Sequence, residues 1–130
     1  MFEPLKDPAD GLFAYGTLRI PEVLEALLGR VPTLDPATAA GWRVAALPGL
    51  TYPGLVEAPD GTADGMLLRG LRSEEWRILH EYEEDLYDLR LVALDGGRRA
   101  WTYVWVDAAD AHDWDLTAFD LPTYLRTMAD

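Results

Sequence analysis

The chain has 130 residues, of which 49% are hydrophobic, with five tryptophans and six tyrosines, so it is too apolar to be disordered. Asp and Glu number 23 against 11 Lys and Arg, and the net charge of −12 repels phosphate, so we expect no nucleic-acid partner. The absence of cysteine excludes disulfides, thiolate catalysis and sulfur-ligated zinc. We expect one domain over residues 1–130.

The first elements in chain order are a strand and a helix. An apolar run predicts a strand over residues 11–18. Pro21 suits the first turn of a helix, and Gly29 is placed to end it. Between them, apolar residues recur at helical spacing: Val23, Leu24, Leu27 and Leu28. The first eleven residues lack the basic and apolar regions of a signal peptide, and no segment reaches the roughly 18 apolar residues of a membrane span. We therefore expect a cytoplasmic protein that does not bind a membrane.

Short strands are predicted in the middle of the chain, over residues 42–47 and 51–56, where proline and glycine residues separate and bend them. A further strand over residues 63–71 is expected to follow a turn at Asp60-Gly61. No repeat or linker divides this region.

The second half of the chain predicts a helix, a hairpin and a final helix. Ser73 offers an N-cap for a helix over residues 74–84. Residues 89–94 and 100–106 alternate around Asp95-Gly96-Gly97, which is typical of a hairpin, and residues 122–128 predict a short helix. This succession indicates an α+β fold, a small mixed β-barrel or twisted sheet with two or three short helices.

Several classes of chemistry lack their residues. The two histidines, His80 and His112, show no zinc-binding spacing, and the acidic residues between 107 and 115 lack the glycine and terminal glutamate of a calcium-binding loop. There is no GxSxG motif, no Walker loop and no GxGxxG motif. We therefore expect no metal and no cofactor.

The predicted helix over residues 74–84 contains a carboxylate on its apolar face. At about 100° per residue, Arg77, His80, Glu81, Glu84 and Glu74 share one arc, which should face water, and Trp76, Ile78, Leu79 and Tyr82 share the other. Glu83 follows Leu79 by four residues, so we expect it on the apolar side, where desolvation raises the pKa of a carboxyl group. Such a group suits general acid/base catalysis. Alternatively, Glu83 ends the helix at a solvated boundary or pairs with Arg90.

The stretch FAYGTL, residues 13–18, ends the first predicted strand at a glycine. Gly16 allows backbone angles closed to other residues and lets another group approach closely. The N–H groups of Thr17 and Leu18 would then be free to bind a carboxylate or carbonyl oxygen. An ordinary tight turn is the alternative.

Five segments together resemble the γ-glutamylcyclotransferase-like superfamily, in the branch with avirulence-induced-gene-like and γ-glutamylamine cyclotransferase proteins. They are FAYGTL, AAGWRVAALPGLTYPGLV (39–56), GTADGMLLRGL (61–71), LHEYEEDLYDLR (79–90) and AWTYVWV (100–106). The resemblance implies a cofactor-independent enzyme that cyclises a small γ-glutamyl amide or amine to 5-oxoproline, as a monomer or homodimer.

The resemblance also implies site residues. The catalytic glutamate of the family falls on Glu83, and the implied substrate-binding residues are Tyr15, Gly16, Thr17, Leu18, Tyr52, Pro53, Gly54, Tyr87 and Arg90. Two positions depart from the family pattern, since His80 replaces an aspartate and Glu84 a glycine. The competing hypotheses are a non-catalytic binding module on the same scaffold and, less favoured by the charge, an anion site for a nucleotide.

Overall fold

The computed structural model describes residues 11–47, 53–83, 87–105, 109, 113–114 and 120–129. The strands are β1 (Leu12–Ala14), β2 (Thr33–Ala45), β3 (Gly54–Arg69), β4 (Tyr87–Ala93) and β5 (Arg99–Trp105). The helices are α1 (Pro21–Leu28), α2 (Ser73–Glu83) and α3 (Leu121–Ala129), and short 3₁₀ turns cover Thr17–Arg19 and Asp95–Gly97. The predicted α+β fold is confirmed.

The five strands form one sheet in the order β2-β3-β1-β5-β4, and this sheet curls. The far end of β3 pairs with β1, where Leu12 lies opposite Leu68. The near end of β3 instead pairs directly with β5, where Leu55 lies opposite Val104. Strand β3 thus borders β5 at one end and reaches it through β1 at the other, which gives the sheet the barrel-like form expected from the sequence.

A bulge bends β3 at its middle. Glu57 lies opposite Trp42 and Thr62 opposite Ala40, so residues 58–61 face Gly41 alone. The turn predicted at Asp60-Gly61 is therefore wrong as a break between strands, because pairing with β2 continues on both sides of it. The strands predicted over residues 51–56 and 63–71 belong to the two ends of β3.

The first strand is shorter than predicted. It ends at Ala14, and the N–H groups of Arg19 and Ile20 then bond the carbonyls of Gly16 and Thr17, both at 3.1 Å. These two hydrogen bonds turn residues 17–19 into a 3₁₀ helix, which cannot continue the pairing of a strand. The predicted helix that follows is confirmed, with Pro21 in its first turn and Gly29 in the left-handed conformation after its end.

Helix α2 begins one residue earlier than predicted, and its start is stabilised differently. Ser73 is helical, and the Glu75 carboxylate accepts the backbone N–H of Arg72 at 2.9 Å, which is one half of a capping box. Trp76 and Leu79 are buried as expected. Ile78, predicted on the apolar face, is 37% exposed, because the core side of the helix is occupied by Glu75, Trp76 and Leu79.

The predicted hairpin and final helix are present as β4–β5 and α3. Two buried clusters lie on opposite faces of the sheet. Phe13 and Tyr15 belong to a cluster built from strand and turn residues, whereas Leu12 and Ala14 belong to a cluster that includes residues of α1 and α2. Within the described part of the chain, no helix is long and apolar enough to cross a membrane.

Candidate functional site

The turn after β1 lies directly against Pro53. A methyl group on Gly16 would lie 2.7 Å from Cγ and 3.0 Å from Cδ of the Pro53 ring, so only a glycine permits this approach. The close approach expected of Gly16 is therefore present. Its φ is −125°, so the left-handed backbone open to glycine is not what this position uses.

The same turn is joined to the end of helix α2. The Thr17 hydroxyl and the Tyr82 hydroxyl lie 3.1 Å apart and share a hydrogen bond, and Thr17 is only 6% exposed. Tyr82 is the residue before Glu83. Two segments far apart in the sequence, each singled out by its motif, therefore meet at this hydroxyl pair.

Tyr15 turns away from the 3₁₀ helix and into the sheet. Its hydroxyl donates to the backbone carbonyl of Tyr103 on β5, and its ring is buried. The Tyr103 hydroxyl in turn lies 3.4 Å from Nδ1 of His80 on α2. His80 is exposed, as expected, and its ring centre lies 5.9 Å from that of Tyr103.

Tyr87 makes a second link to the Pro53 segment. Its hydroxyl donates to the Pro53 carbonyl at 2.9 Å, and its ring packs edge-on against that of Trp105, with 5.3 Å between the two ring centres. Gly54 lies beside the same tryptophan, because a methyl group there would be 2.5 Å from Trp105 Cβ. We refer to the residues of the YGTL turn, together with those that these contacts place beside it, as the YGTL cluster: Tyr15, Gly16, Thr17, Leu18, Pro53, Gly54, Tyr82 and Tyr87.

Glu83 is the last residue of α2. It follows Tyr82 directly and lies one helical turn after Leu79, which is fully buried. Its side chain falls outside the described part of the structure, as do Tyr52 and Glu84. The position of the end of α2 relative to the YGTL turn is therefore known from the contact between Tyr82 and Thr17. The raised pKa expected for the Glu83 carboxyl group stays a prediction.

The structure does not bring Arg90 to the YGTL cluster. Tyr87 and Arg90 are three residues apart on β4 and so point to opposite faces of the strand. The Arg90 guanidinium is exposed and bonds the Asp88 carboxylate at 3.1 and 3.2 Å. Arg90 is thus placed as a surface residue paired along its own strand.

A buried carboxylate does occur on α2, but at its start. Glu75 is 4% exposed and accepts two hydrogen bonds from Arg30, at 2.6 and 2.7 Å. The bond to Arg30 holds the pKa of the Glu75 carboxyl below its ordinary value, against the opposing effect of burial. Glu75 is therefore an ionised, structural acid that connects α2 to the end of α1.

The hydroxyl contacts of two tyrosines in and beside this site were not predicted from the sequence. Tyr82 is predicted on the apolar arc of the helix, and Tyr103 lies within the alternating strand predicted over residues 100–106. A tyrosine among buried positions carries a hydroxyl that needs a partner, and this was the signal available. Among the described residues, no group of three or more His, Asp or Glu side chains is arranged to hold a metal ion.

The chain is similar in sequence to known proteins. The sequence profile described as Gamma-glutamyl cyclotransferase, AIG2-like matches residues 12–119. AIG2-like protein C of Arabidopsis thaliana is 34% identical over 113 residues, and AIG2-like protein B of the same plant is 28% identical over 113 residues. Each match covers 81% of this chain and 66% of the relative, so the chain spans just under two thirds of their length.

Solved structures share the fold. A solution structure of an Arabidopsis thaliana protein superposes with a TM-score of 0.70 at 26% identity, covering 91% of this chain and 85% of the other. A crystal structure of an uncharacterized protein from Pyrococcus horikoshii has a TM-score of 0.61 at 17% identity, covering 91% of this chain and 95% of the other, and supports the fold alone. With the profile match extending from β1 to beyond β5, the chain belongs to the AIG2-like γ-glutamyl cyclotransferase family.

Proposed function

We propose that the protein cyclises a γ-glutamyl amide or γ-glutamyl amine to 5-oxoproline and releases the amine, with Glu83 as general acid and base. The α-amine of the glutamyl group attacks its own γ-carbonyl carbon, so one carbon–nitrogen bond forms as the amide carbon–nitrogen bond breaks. One proton leaves the attacking nitrogen and one reaches the departing nitrogen. A single carboxylate can perform both transfers, and no cofactor is needed.

The observation that carries the proposal is the hydrogen bond between Thr17 and Tyr82. It joins the YGTL turn, which is implied to bind substrate, to Tyr82, the residue that precedes the implied catalytic Glu83. The first 3₁₀ bond of the turn is donated by Arg19, and the N–H groups of Thr17 and Leu18 precede it. These groups suit an oxygen of the glutamyl end of the substrate or of the intermediate.

The fold favours this reaction because a cyclisation gains most from a restrained substrate. An intramolecular attack is accelerated when the reacting atoms are held close together, an effect of roughly 7–11 kcal/mol in well-oriented cases. The residues of the YGTL cluster are buried or half-buried, and hydrogen bonds join Thr17 to Tyr82 and Tyr87 to Pro53. A rigid wall of this kind can keep a flexible glutamyl chain folded.

The test is release of 5-oxoproline from a panel of γ-glutamyl amines and γ-glutamyl dipeptides, comparing the wild type with Glu83→Gln and Glu81→Gln. Glu81 lies on the same helix and is exposed, so its variant matches the chemical change without touching the cluster. We expect E83Q to fold and to lose about 10²-fold or more in kcat, and E81Q to retain activity. Full activity of E83Q would disprove the role of Glu83.

The same panel separates the enzyme from a binding module on this scaffold. A module would bind γ-glutamyl compounds, detectable by calorimetry or by NMR shifts at Thr17 and Leu18, and release no 5-oxoproline from any of them. That result would reject the cyclisation and leave the YGTL turn as a ligand site.

A further inference from the structure

Thr17 uses its hydroxyl within the protein. The YGTL turn is predicted to bind substrate, but the Thr17 hydroxyl oxygen lies 3.1 Å from that of Tyr82. Thr17 is only 6% exposed and Tyr82 is half-buried, so the pair is largely shielded from water. A shielded hydrogen bond between two side chains fixes both of them more firmly than an exposed one does.

This contact lies in the last turn of helix α2. Tyr82 is the second-last residue of α2, at a helix end, where helices fray when nothing holds them. Toward the start of the helix, Leu79 and Trp76 anchor it by burial. Beyond Leu79, the Tyr82 hydroxyl reaches across to the YGTL turn through its hydrogen bond with Thr17, and Tyr82 directly precedes Glu83.

We propose that Tyr82 is a positioning residue, whose hydrogen bond with Thr17 fixes the last turn of α2 on the YGTL turn and so sets the orientation of Glu83 toward the substrate. The inference rests on the proposed function. It assigns the Thr17 hydroxyl to the protein's own support rather than to the substrate. Displacing a catalytic group by about 1 Å can cost on the order of 10²-fold in rate, so a bond that holds the helix end belongs to catalysis even though it touches no reacting atom.

The experiment is a double-mutant cycle on turnover. Tyr82→Phe and Thr17→Val each remove one hydroxyl and keep most of the side-chain volume. We expect each to lower kcat about tenfold with less than about a twofold change in KM, and the double variant to be no slower than the slower single variant. Thr17→Ser keeps the hydroxyl and should have a kcat at least about fivefold above that of T17V.

Thr102→Val is the matched control for T17V. Thr102 is fully buried, and its hydroxyl donates to the Phe13 carbonyl at 2.9 Å, so T102V also removes a buried threonine hydrogen bond, but away from α2. We expect T102V to lower the melting temperature and to keep the kcat of the wild type at 25 °C. A kcat loss in T102V equal to that in T17V would assign the effect to general destabilisation and overturn the proposal.

The outcomes distinguish this inference from the proposed function. If the wild type turns over substrate and E83Q does not, while Y82F keeps the wild-type kcat or the two single effects multiply in the double variant, positioning by Tyr82 is rejected and the function stands. If the wild type releases no 5-oxoproline, the function is rejected and the role of Tyr82 with it. Should Y82F fail to fold, the comparison of T17V with T17S decides, because both alter the other partner of the same bond.

Discussion

Gly16 illustrates how a single residue links two segments of the site. Its contact with the Pro53 ring holds the YGTL turn against the start of β3, and Pro53 in turn accepts the Tyr87 hydroxyl at 2.9 Å. At this position a glycine is needed for space and not for a positive φ, since the φ is −125°. The ring atoms that would meet a new methyl group are attached to the backbone and cannot swing aside.

We therefore expect Gly16→Ala to destabilise the fold by roughly 1–3 kcal/mol, the usual cost of overpacking a buried site, and to reduce any turnover further by moving the turn away from α2. Gly41→Ala is the control. Gly41 lies in β2, has a φ of 89° and has no atom within 4 Å of an added methyl group, so its variant costs stability through the backbone alone, about 1–2 kcal/mol, and leaves the cluster intact. Denaturant unfolding and 5-oxoproline release measure both effects. A G16A protein with wild-type stability would contradict the packing described here.

At the scale of elements, helix α2 is held at both ends by side-chain contacts. At its start, Arg30 beside the end of α1 bonds Glu75 through two nitrogens and also the Gly70 carbonyl. At its end, Tyr82 bonds Thr17. Both contacts lead to the segment between β1 and β2, so the orientation of α2 relative to the YGTL turn depends on them as well as on the buried Trp76 and Leu79.

The pair of Arg30 and Glu75 predicts a stability that depends on pH. Because the pKa of Glu75 is lower in the folded chain than its ordinary value of 4.5, its contribution is fully present above that value and is lost as the pH falls through the folded pKa. We expect Glu75→Gln to cost roughly 1–3 kcal/mol at pH 7, since hydrogen bonds to a charged group are lost. The gap in melting temperature between E75Q and the wild type should narrow below about pH 4.5.

Glu74→Gln provides the comparison, because Glu74 is the neighbouring residue and is exposed. Its variant should change the melting temperature little at any pH between 3 and 7. A gap for E75Q that stayed constant over this range would show that the ion pair is not the source of the effect.

Local patterns predicted the elements whose signals are contiguous. The first helix between Pro21 and Gly29 and the hairpin around Asp95-Gly96-Gly97 carry their own start, stop and turn residues, and both are confirmed. The beginning of β2 was missed, because residues 33–41 include a proline, a glycine and several alanines, and only pairing with β3 makes them a strand. Strand formation of this kind is determined by tertiary contacts, which a single sequence does not display.

The contacts of the candidate site likewise divide into those that the sequence predicted and those that it did not. Thr17 of the YGTL stretch and Tyr82, the residue before Glu83, share a hydrogen bond, so these two parts of the predicted site lie together. The hydrogen bonds of Tyr87 and Tyr15 were not predictable, because they depend on the positions of two backbone carbonyls, that of Pro53 just before β3 and that of Tyr103 on β5. Arg90 was placed by sequence alignment with the family pattern, but the alternation of β4 turns it to the opposite face from Tyr87.

At the scale of the whole molecule, the outer strands of the sheet, β2 and β4, are the places where another chain could pair. An outer strand exposes unpaired N–H and C=O groups that can pair with another chain. Along β2, the β4–β5 turn covers the middle of the strand, where Asp95 accepts the Thr38 N–H at 2.9 Å. The C-terminal end of the strand is covered by residues 113–114, where the Trp114 N–H donates to the Val44 carbonyl at 2.9 Å and Arg43 pairs with Asp113.

Asp95 therefore connects the last hairpin to β2 and completes the curl of the sheet. The Thr38 N–H is the main reason that the pKa of Asp95 is lowered, with Arg98 adding to it. We expect Asp95→Ala to lower the melting temperature and to speed hydrogen exchange at the Thr38 amide by about tenfold or more, since that N–H loses its acceptor.

Asp88→Ala is the matched control, because Asp88 also pairs with an arginine on the surface but accepts no strand N–H among the described contacts. Equal effects of D95A and D88A would mean that a surface ion pair, and not the bond to β2, is what the first variant removes. A selective effect of D95A, with aggregation increasing as β2 is uncovered, would show that the β4–β5 turn protects the outer edge of β2 through this bond.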